Sequence, residues 1–404
     1  MMKKLFLLAF LLHSSMFFGQ NNLLVFSDSI HKNTNAVYLN FDDLSFIKNN
    51  EYFNLIADGY TLFGNKLDVD LSINPHQNYQ VKVGFMALKY YGLDAFSEII
   101  PTFSLQINQG NNTYIFGKLQ NNDKHLLSDQ IYGFERLLDK RSIENGVEHR
   151  YKNKHWQTDT WLEWEHFIKK NDSDRERLNF GQTTTYHTTI TKNWEITLPL
   201  QLYLHHRGGQ INQRNTQTEH LNNAMVVANI SGGLQLSKKV SNRAEWGAEY
   251  QYFVHSINSD NVEELHFKNG SAHLISAFFK TAKWQGNLSY WKADKFVAPK
   301  ADDMYQSISK RVEKYTDSQA NPETVFATYT EPNRELLHGF VSYKNKLFKS
   351  LYIGTQLDAY LQLNEGTIQS NRYNASVNNQ FDYAIGLYIL YRFNTAIFNA
   401  EKGR

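Results

Sequence analysis

Residues 65–87, NKLDVDLSINPHQNYQVKVGFMA, carry the pattern that organises the chain. Leu67, Val69, Leu71 and Ile73 alternate with Lys66, Asp68, Asp70 and Ser72; a tight turn follows at 75–78, and Tyr79, Val81, Val83 and Phe85 resume the alternation. Successive side chains of a strand point to opposite faces, so this is a hairpin with one apolar and one polar face. The unit recurs roughly eight times, with short turns at one end and long polar loops at the other. Similar patterning predicts strands at 102–108, 113–119, 147–151, 156–167, 178–190, 194–205, 226–236, 244–252, 271–279, 284–291, 336–343, 351–363 and 383–393, and one more at 44–48 is required because the 65–87 hairpin begins on the long-loop side and the strand count must be even. The clearest stripe is Trp194, Ile196, Leu198, Leu200, Leu202 and Leu204, interrupted on its polar face by Pro199, which removes a ladder donor.

The fold class predicted is all-β: a transmembrane, antiparallel, up-and-down β-barrel of about 16 strands, with short periplasmic turns and long extracellular loops. Closure satisfies every backbone donor and acceptor in lipid, which an open sheet cannot do. Two connections are long. Residues 120–144 place Leu126, Leu127, Ile131, Phe134, Leu137 and Leu138 at helical spacing, and either fold into the lumen as a constriction or cap the mouth. Residues 292–333 form the longest connection and hold Pro299, Pro322 and Pro332. A loop of that length argues against a soluble fold but is ordinary on the outside of a barrel.

Composition then fixes the address. Residues 1–19 read as a signal peptide: a basic start at Lys3 and Lys4, then an apolar run too short to span a bilayer. Residues 20–40 are expected to be a periplasmic lead-in, 41–393 the outer-membrane barrel, and 394–404 a periplasmic tail. With no cysteine, a lipoprotein anchor and a disulfide framework are both excluded. Aromatics make up 14% of the chain while mean hydropathy is −0.53, a combination that fits lipid-facing girdles around a polar lumen. The formal net charge of +2 offers no global attraction for nucleic acid.

The segments ADGYTLFG, IIPTF, YGFERLLDKRSIENGVEHRY and WLEWEHFI, together with the aromatic-ended last strand YAIGLYILYRF, resemble an uncharacterised porin-like barrel group of the Bacteroidota within the outer-membrane porin superfamily. The resemblance covers almost the whole chain. It implies a cell outer membrane location and a pore-like body, and it supplies no functional residues. Eleven residues follow Phe393, whereas the resembled pattern ends at its aromatic.

Alternation assigns Asp68, Asp70, Glu148, Asp159, Glu163, Glu165, Glu195, Glu245, Glu249 and Asp358 to the lumen, with Lys66, Lys82, Arg150 and Arg392. Ten acids against four bases predict a cation-favouring lumen, since fixed carboxylates raise the local cation concentration. His205 and His206 are adjacent and diverge on a strand, no HExxH or His-x-His spacing occurs, and no metal or other cofactor is expected. Glu163 and Glu165 share a face, but without a Ser/His/Asp constellation or nucleophile elbow the chain is expected not to be an enzyme. The expected function is passive passage of small hydrophilic solutes. The alternative is a loop-plugged, non-conducting subunit of a larger secretion, uptake or assembly complex. The partners are then outer-membrane lipid and either further copies of the chain or the subunits of that complex.

Overall fold

The structure is a computed structural model that describes residues 24, 34, 36–121, 123–169, 175–208, 224–241, 243–259, 267–309, 313–316, 324–327, 329–364, 366–370, 374–377 and 380–399. The expected signal peptide, 1–19, lies outside the described residues, as do nearly all of 20–35 and the end of the tail.

Sixteen antiparallel strands close into one barrel. In chain order they are β1 (Ala36–Glu51), β2 (Tyr60–His76), β3 (Tyr79–Tyr90), β4 (Glu98–Gln109), β5 (Asn112–Lys118), β6 (Asn145–Lys152), β7 (Trp156–His166) and β8 (Glu176–Thr189). Then come β9 (Trp194–Gly208), β10 (Met225–Ser241), β11 (Ala244–Ser259), β12 (Asn269–Thr281), β13 (Trp284–Asp294), β14 (Asn333–Lys346), β15 (Leu351–Gln362) and β16 (Phe381–Asn399). Each strand pairs with its sequence neighbours, and β1 pairs with β16 to seal the wall. At the seal Phe41 faces Phe393, their rings stacked 5.0 Å apart. The residues after Phe393 continue β16, and Asn399 pairs with Ala36. Both end strands are therefore longer than the expected 44–48 and 383–393.

The alternation puts aliphatic side chains outside. Leu200, Ile275 and Leu288 are more than half exposed, whereas Gln201, Leu274 and Ser289 beside them in sequence are buried. At the short-turn end, Trp156 pairs with Tyr186 and Trp284 with Tyr343, with rings 4.9 and 4.7 Å apart. Such cross-strand aromatics form a girdle of the kind that marks a membrane interface. Pro199 is accommodated by a gap: the β9–β10 ladder runs to Gly232↔Leu200 and resumes at Gln235↔Thr197.

The lumen is occupied. The β5–β6 connection turns inward as three short 3-10 turns, Lys124–Leu126, Phe134–Leu138 and Lys140–Ser142. Its apolar residues sit at helical spacing for another reason: they are divided between two clusters. Leu127, Ile131 and Tyr132 join Trp161 and Tyr203, whereas Phe134, Leu137 and Leu138 join Leu44, Phe46, Met86 and Tyr388. The start of the β13–β14 connection also folds in, burying Phe296, Met304 and Tyr305 against Phe253, Trp291 and Tyr360. The two segments are joined by backbone hydrogen bonds, Gly133 N–H to the Lys300 carbonyl at 2.8 Å and Asp302 N–H to the Asp129 carbonyl at 3.0 Å. Only glycine fits at 133, because a Cβ there would lie 2.9 Å from Asp302 N.

Candidate functional site

The centre of the plug is His125. Lys124, His125 and Leu126 form a left-handed turn with φ of 54°, 53° and 61°, a conformation that costs non-glycine residues about 1–2 kcal/mol each and persists only where the surroundings impose it. The imposing contacts are ionic. His125 Nε2 lies 2.7 Å from Glu144 Oε2, and its Nδ1 lies 3.2 Å from Asp159 Oδ2 and 3.5 Å from Glu148 Oε1. Its ring stacks on Trp161 at 4.3 Å, and its backbone carbonyl accepts from the Thr183 hydroxyl. Burial pulls the imidazole pKa down, but Asp159 and Glu144 outweigh it and hold the ring well above its ordinary value, favouring the protonated form. Arg150 bridges Glu148, Asp159 and Asp123, and Arg136 lies 3.3 Å from Glu144 with its guanidinium 3.9 Å above the Tyr132 ring. Two cations, the imidazolium and Arg150, already compensate the His125, Glu148 and Asp159 group, which is compact enough to be read as a metal site.

The remaining residues singled out by alternation fall into separate places. Glu163 and Glu165 both accept from Asn179 Nδ2, at 2.6 and 2.8 Å, and Lys300 Nζ reaches Glu165 at 2.5 Å from the second inserted segment. Asn179 Oδ1 in turn accepts from Tyr203 and meets His205 Nδ1 at 2.8 Å. Asp358 lies 3.1 Å from His338 Nε2, whose Nδ1 meets the Tyr305 hydroxyl. Glu249 accepts from Ser276, Glu195 pairs with Lys239 at 3.1 Å, and Glu245 stands opposite Lys239 and Lys280. Lys66, Asp68, Asp70, Lys82 and Arg392 line a vestibule of about 300 Å3 at the short-turn end. In it Asp68 is bridged to Lys118, Arg392 to Asp42 at 3.0 Å, and Asn40 donates to Asp70.

Several luminal acids are paired with bases that strand alternation does not count, His125 and Lys300 from the loops and Lys118 and Lys239 from other strands, while the loops also bring acids such as Asp123, Glu135 and Glu144. A cation-favouring lumen has no support in this arrangement. The loop residues His125, Arg136, Glu144 and Lys300 were out of reach of a period-two reading, although for Arg136 its place inside the apolar run 126–138 was a visible signal.

A second polar group lies on the outer wall. Tyr252, His273, Lys292 and Glu335 are register partners across β11, β12, β13 and β14. His273 shares its outward parity with exposed Ile275, while Leu274 between them is buried. His273 Nδ1 lies 2.9 Å from the Tyr250 hydroxyl, and its ring is 4.8 Å from that of Tyr252. Lys292 Nζ pairs with Glu335 at 2.7 Å, and the Tyr290 hydroxyl donates to the same carboxylate at 3.0 Å. Ser271, Asp294 and Asn333 form the next row toward the long loops. A smaller outward group joins Asn49 to Glu51 at 2.7 Å and Thr61 to Asn49 at 2.6 Å.

Fold and wall together define a closed sixteen-strand antiparallel β-barrel with an apolar outer wall, its lumen largely occupied by its own loops. Across residues 29–400 the sequence matches the model of one family, Lipid A 3'-O-deacylase-type, and the chain belongs to that family. No curated protein matches it. Solved structures with similar coordinates include an anion-selective porin from Comamonas acidovorans, at 11% identity and TM-score 0.46, covering 89% of this chain and 99% of that one. A loop L8 deletion mutant of OmpT of Vibrio cholerae is similar at 10% identity and TM-score 0.48, covering 89% and 100%. Pseudomonas aeruginosa OpdL is similar at 8% identity and TM-score 0.44, covering 90% and 99%. At these values they add nothing to what the strand pairing itself establishes. The family match overturns the expectation that the chain is not an enzyme, because the family is described by an enzymatic activity.

Proposed function

We propose that this chain is an outer-membrane hydrolase that removes an ester-linked acyl chain from a glycolipid of the lipid A class, working on the outer wall of the barrel. The observation that carries the reading is the outward imidazole of His273 with Lys292 directly opposite it. Acyl esters lie where headgroups meet hydrocarbon. The His273 row stands at such a boundary, one step beyond Ile275 toward the long loops and flanked by Tyr250, Tyr252 and Tyr290.

In the proposed reaction His273 Nε2 takes a proton from a water that attacks the ester carbonyl. Tyr250 holds the other ring nitrogen, and the Lys292 ammonium, anchored by Glu335, faces the developing oxyanion. The intermediate collapses by breaking the bond to the sugar oxygen, which receives the proton from His273. The products are a free fatty acid and a glycolipid hydroxyl. The family match supports the substrate class.

Fatty-acid release from lipid A in mixed micelles tests the assignment. His273→Gln should lower the rate by about 10²- to 10⁴-fold, the usual contribution of a general base, and Glu51→Gln should leave it unchanged. The reverse result would move the chemistry to the Asn49, Glu51 and Thr61 group. No release by the unaltered protein removes the proposal.

A further inference from the structure

The inward wall is divided by charge. From β1 to β8 it carries the ion pairs of the plug and the vestibule, whereas β9 to β13 present amides and hydroxyls at mid-height: Gln201, Ser231, Gln235, Gln251, Ser276 and Ser289, all buried. Gln235, Glu249, Ser276 and Ser289 are consecutive register partners, and their hydroxyls form a ladder in which Ser289 donates to Ser276 and Ser276 to Glu249. Glu249 is the one carboxylate of that row. Several polar atoms along this seam have no hydrogen-bond partner in the protein, namely Gln201 Nε2, Ser231 Oγ, Gln235 Oε1 and Gln251 Oε1, and Ser128 Oγ on the facing plug. A buried polar atom left unpaired costs about 1–3 kcal/mol, so a cluster of them points to an occupant that supplies the bonds. A cavity of about 50 Å3 adjoins this seam between Ser128 to Gln130 of the plug and Gln251, Ser276 and Ser289 of the wall; Lys48, Glu135, Glu249, Asp302 and Asp358 also line it. Its volume exceeds the space a single water requires.

We infer that the seam between the plug and β9–β13 is a binding path for small neutral polyhydroxylated solutes of about glycerol size. The chemistry selects them. Three of the five unpaired atoms are hydroxyl or amide oxygens on the wall, and a fourth is the Ser128 hydroxyl, so a donor-rich ligand is favoured. A polyol exchanges its water hydrogen bonds for those of Gln235, Gln251 and the serines. A carboxylate anion would instead meet Asp129, Glu135, Glu249, Asp302 and Asp358 on the cavity lining, with only Lys48 opposing them. This path is independent of the outer-wall chemistry.

The test is the swelling of proteoliposomes holding the full chain in isotonic glycerol, compared with isotonic sodium glycerate. Swelling is expected to be several-fold above empty liposomes in glycerol and at the empty-liposome rate in glycerate. The double variant Gln235→Leu, Gln251→Leu should return the glycerol rate to that of empty liposomes, with the heat-modifiable gel band reporting an intact barrel. If that variant fails to fold, Gln251→Glu keeps the shape, adds a charge and should lower the glycerol rate. No glycerol-dependent swelling, equal rates in glycerol and glycerate, or glycerol rates unchanged in the folded variants would overturn the inference.

Discussion

His125 and Glu144, nineteen residues apart in one inserted segment, meet at 2.7 Å inside the barrel with both side chains fully enclosed. The pair closes the segment on itself, and Asp159 on β7 ties it to the wall. Replacing His125 with glutamine leaves Glu144, Glu148 and Asp159 with one cation fewer. Loss of one partner of a buried ionic cluster costs about 3–5 kcal/mol. His125→Gln should therefore lower the temperature at which the heat-modifiable band shifts, and the left-handed turn at 124–126 should become accessible to protease. An unchanged transition would show that the cluster does not hold the plug.

The pH dependence of that latch follows from the raised pKa of His125. A group whose pKa is raised on folding contributes its full stabilisation below its unfolded pKa and loses it as pH rises through the folded value. The plug should thus be held most firmly below the unfolded imidazole value and loosen progressively as pH rises above it. Proteolysis of segment 119–144 as a function of pH, with His125→Gln as the reference that lacks this dependence, measures it.

Asp302 behaves in the same sense over a lower window. Burial, and then Glu135 close by, push its carboxyl up to about 7, against the pull of Lys48. Its contribution is complete below the unfolded carboxylate range, about pH 4, and is lost as pH rises toward 7. Amide exchange at Met304 and Tyr305 should be slowest at acid pH after correction for the intrinsic rate. Asp302→Asn should flatten that profile; a variant that keeps the slope assigns it to another group.

Gly133 tests the contact between the two inserted segments. A methyl group there meets the backbone of Asp302 and Ala301, which has no flexible end to swing away. Gly133→Ala is expected to cost about 1–3 kcal/mol by overpacking and to separate the segments. In planar bilayers it should show conductance steps that the unaltered chain lacks. Equal conductance would mean that the junction is not the obstruction.

The barrel was legible because its signal is local. Leu198, Leu200 and Leu202 against Thr197, Gln201 and Tyr203 state their faces through a period of two; the first strand, by contrast, is expected at 44–48 only because the hairpin at 65 starts on the long-loop side and the count must be even. The sequence pattern understated the ends, where Asn394 to Asn399 continue as strand only because Ala36 to Asn40 are there to pair with them. The plug was not legible for the opposite reason. Whether Leu127 meets Trp161, or Lys300 meets Glu165, depends on a lumen that exists only after closure. A count of luminal charge from the strands alone omits the acids and bases that the loops bring, such as Glu144 with His125 and Glu135 near Lys48. The outer-wall row was missed because it spans β11, β12, β13 and β14: His273, Lys292 and Glu335 are far apart in sequence and adjacent only by register.

The central claim is that this barrel deacylates a lipid of the lipid A class, and the mass of that lipid is its most direct test. Lipid A incubated with proteoliposomes of the full chain should lose the mass of one acyl chain, with the matching free fatty acid recovered, and His273→Gln proteoliposomes should leave nearly all of it intact. Lipid A of unchanged mass after prolonged incubation with the folded, heat-modifiable protein would contradict the account.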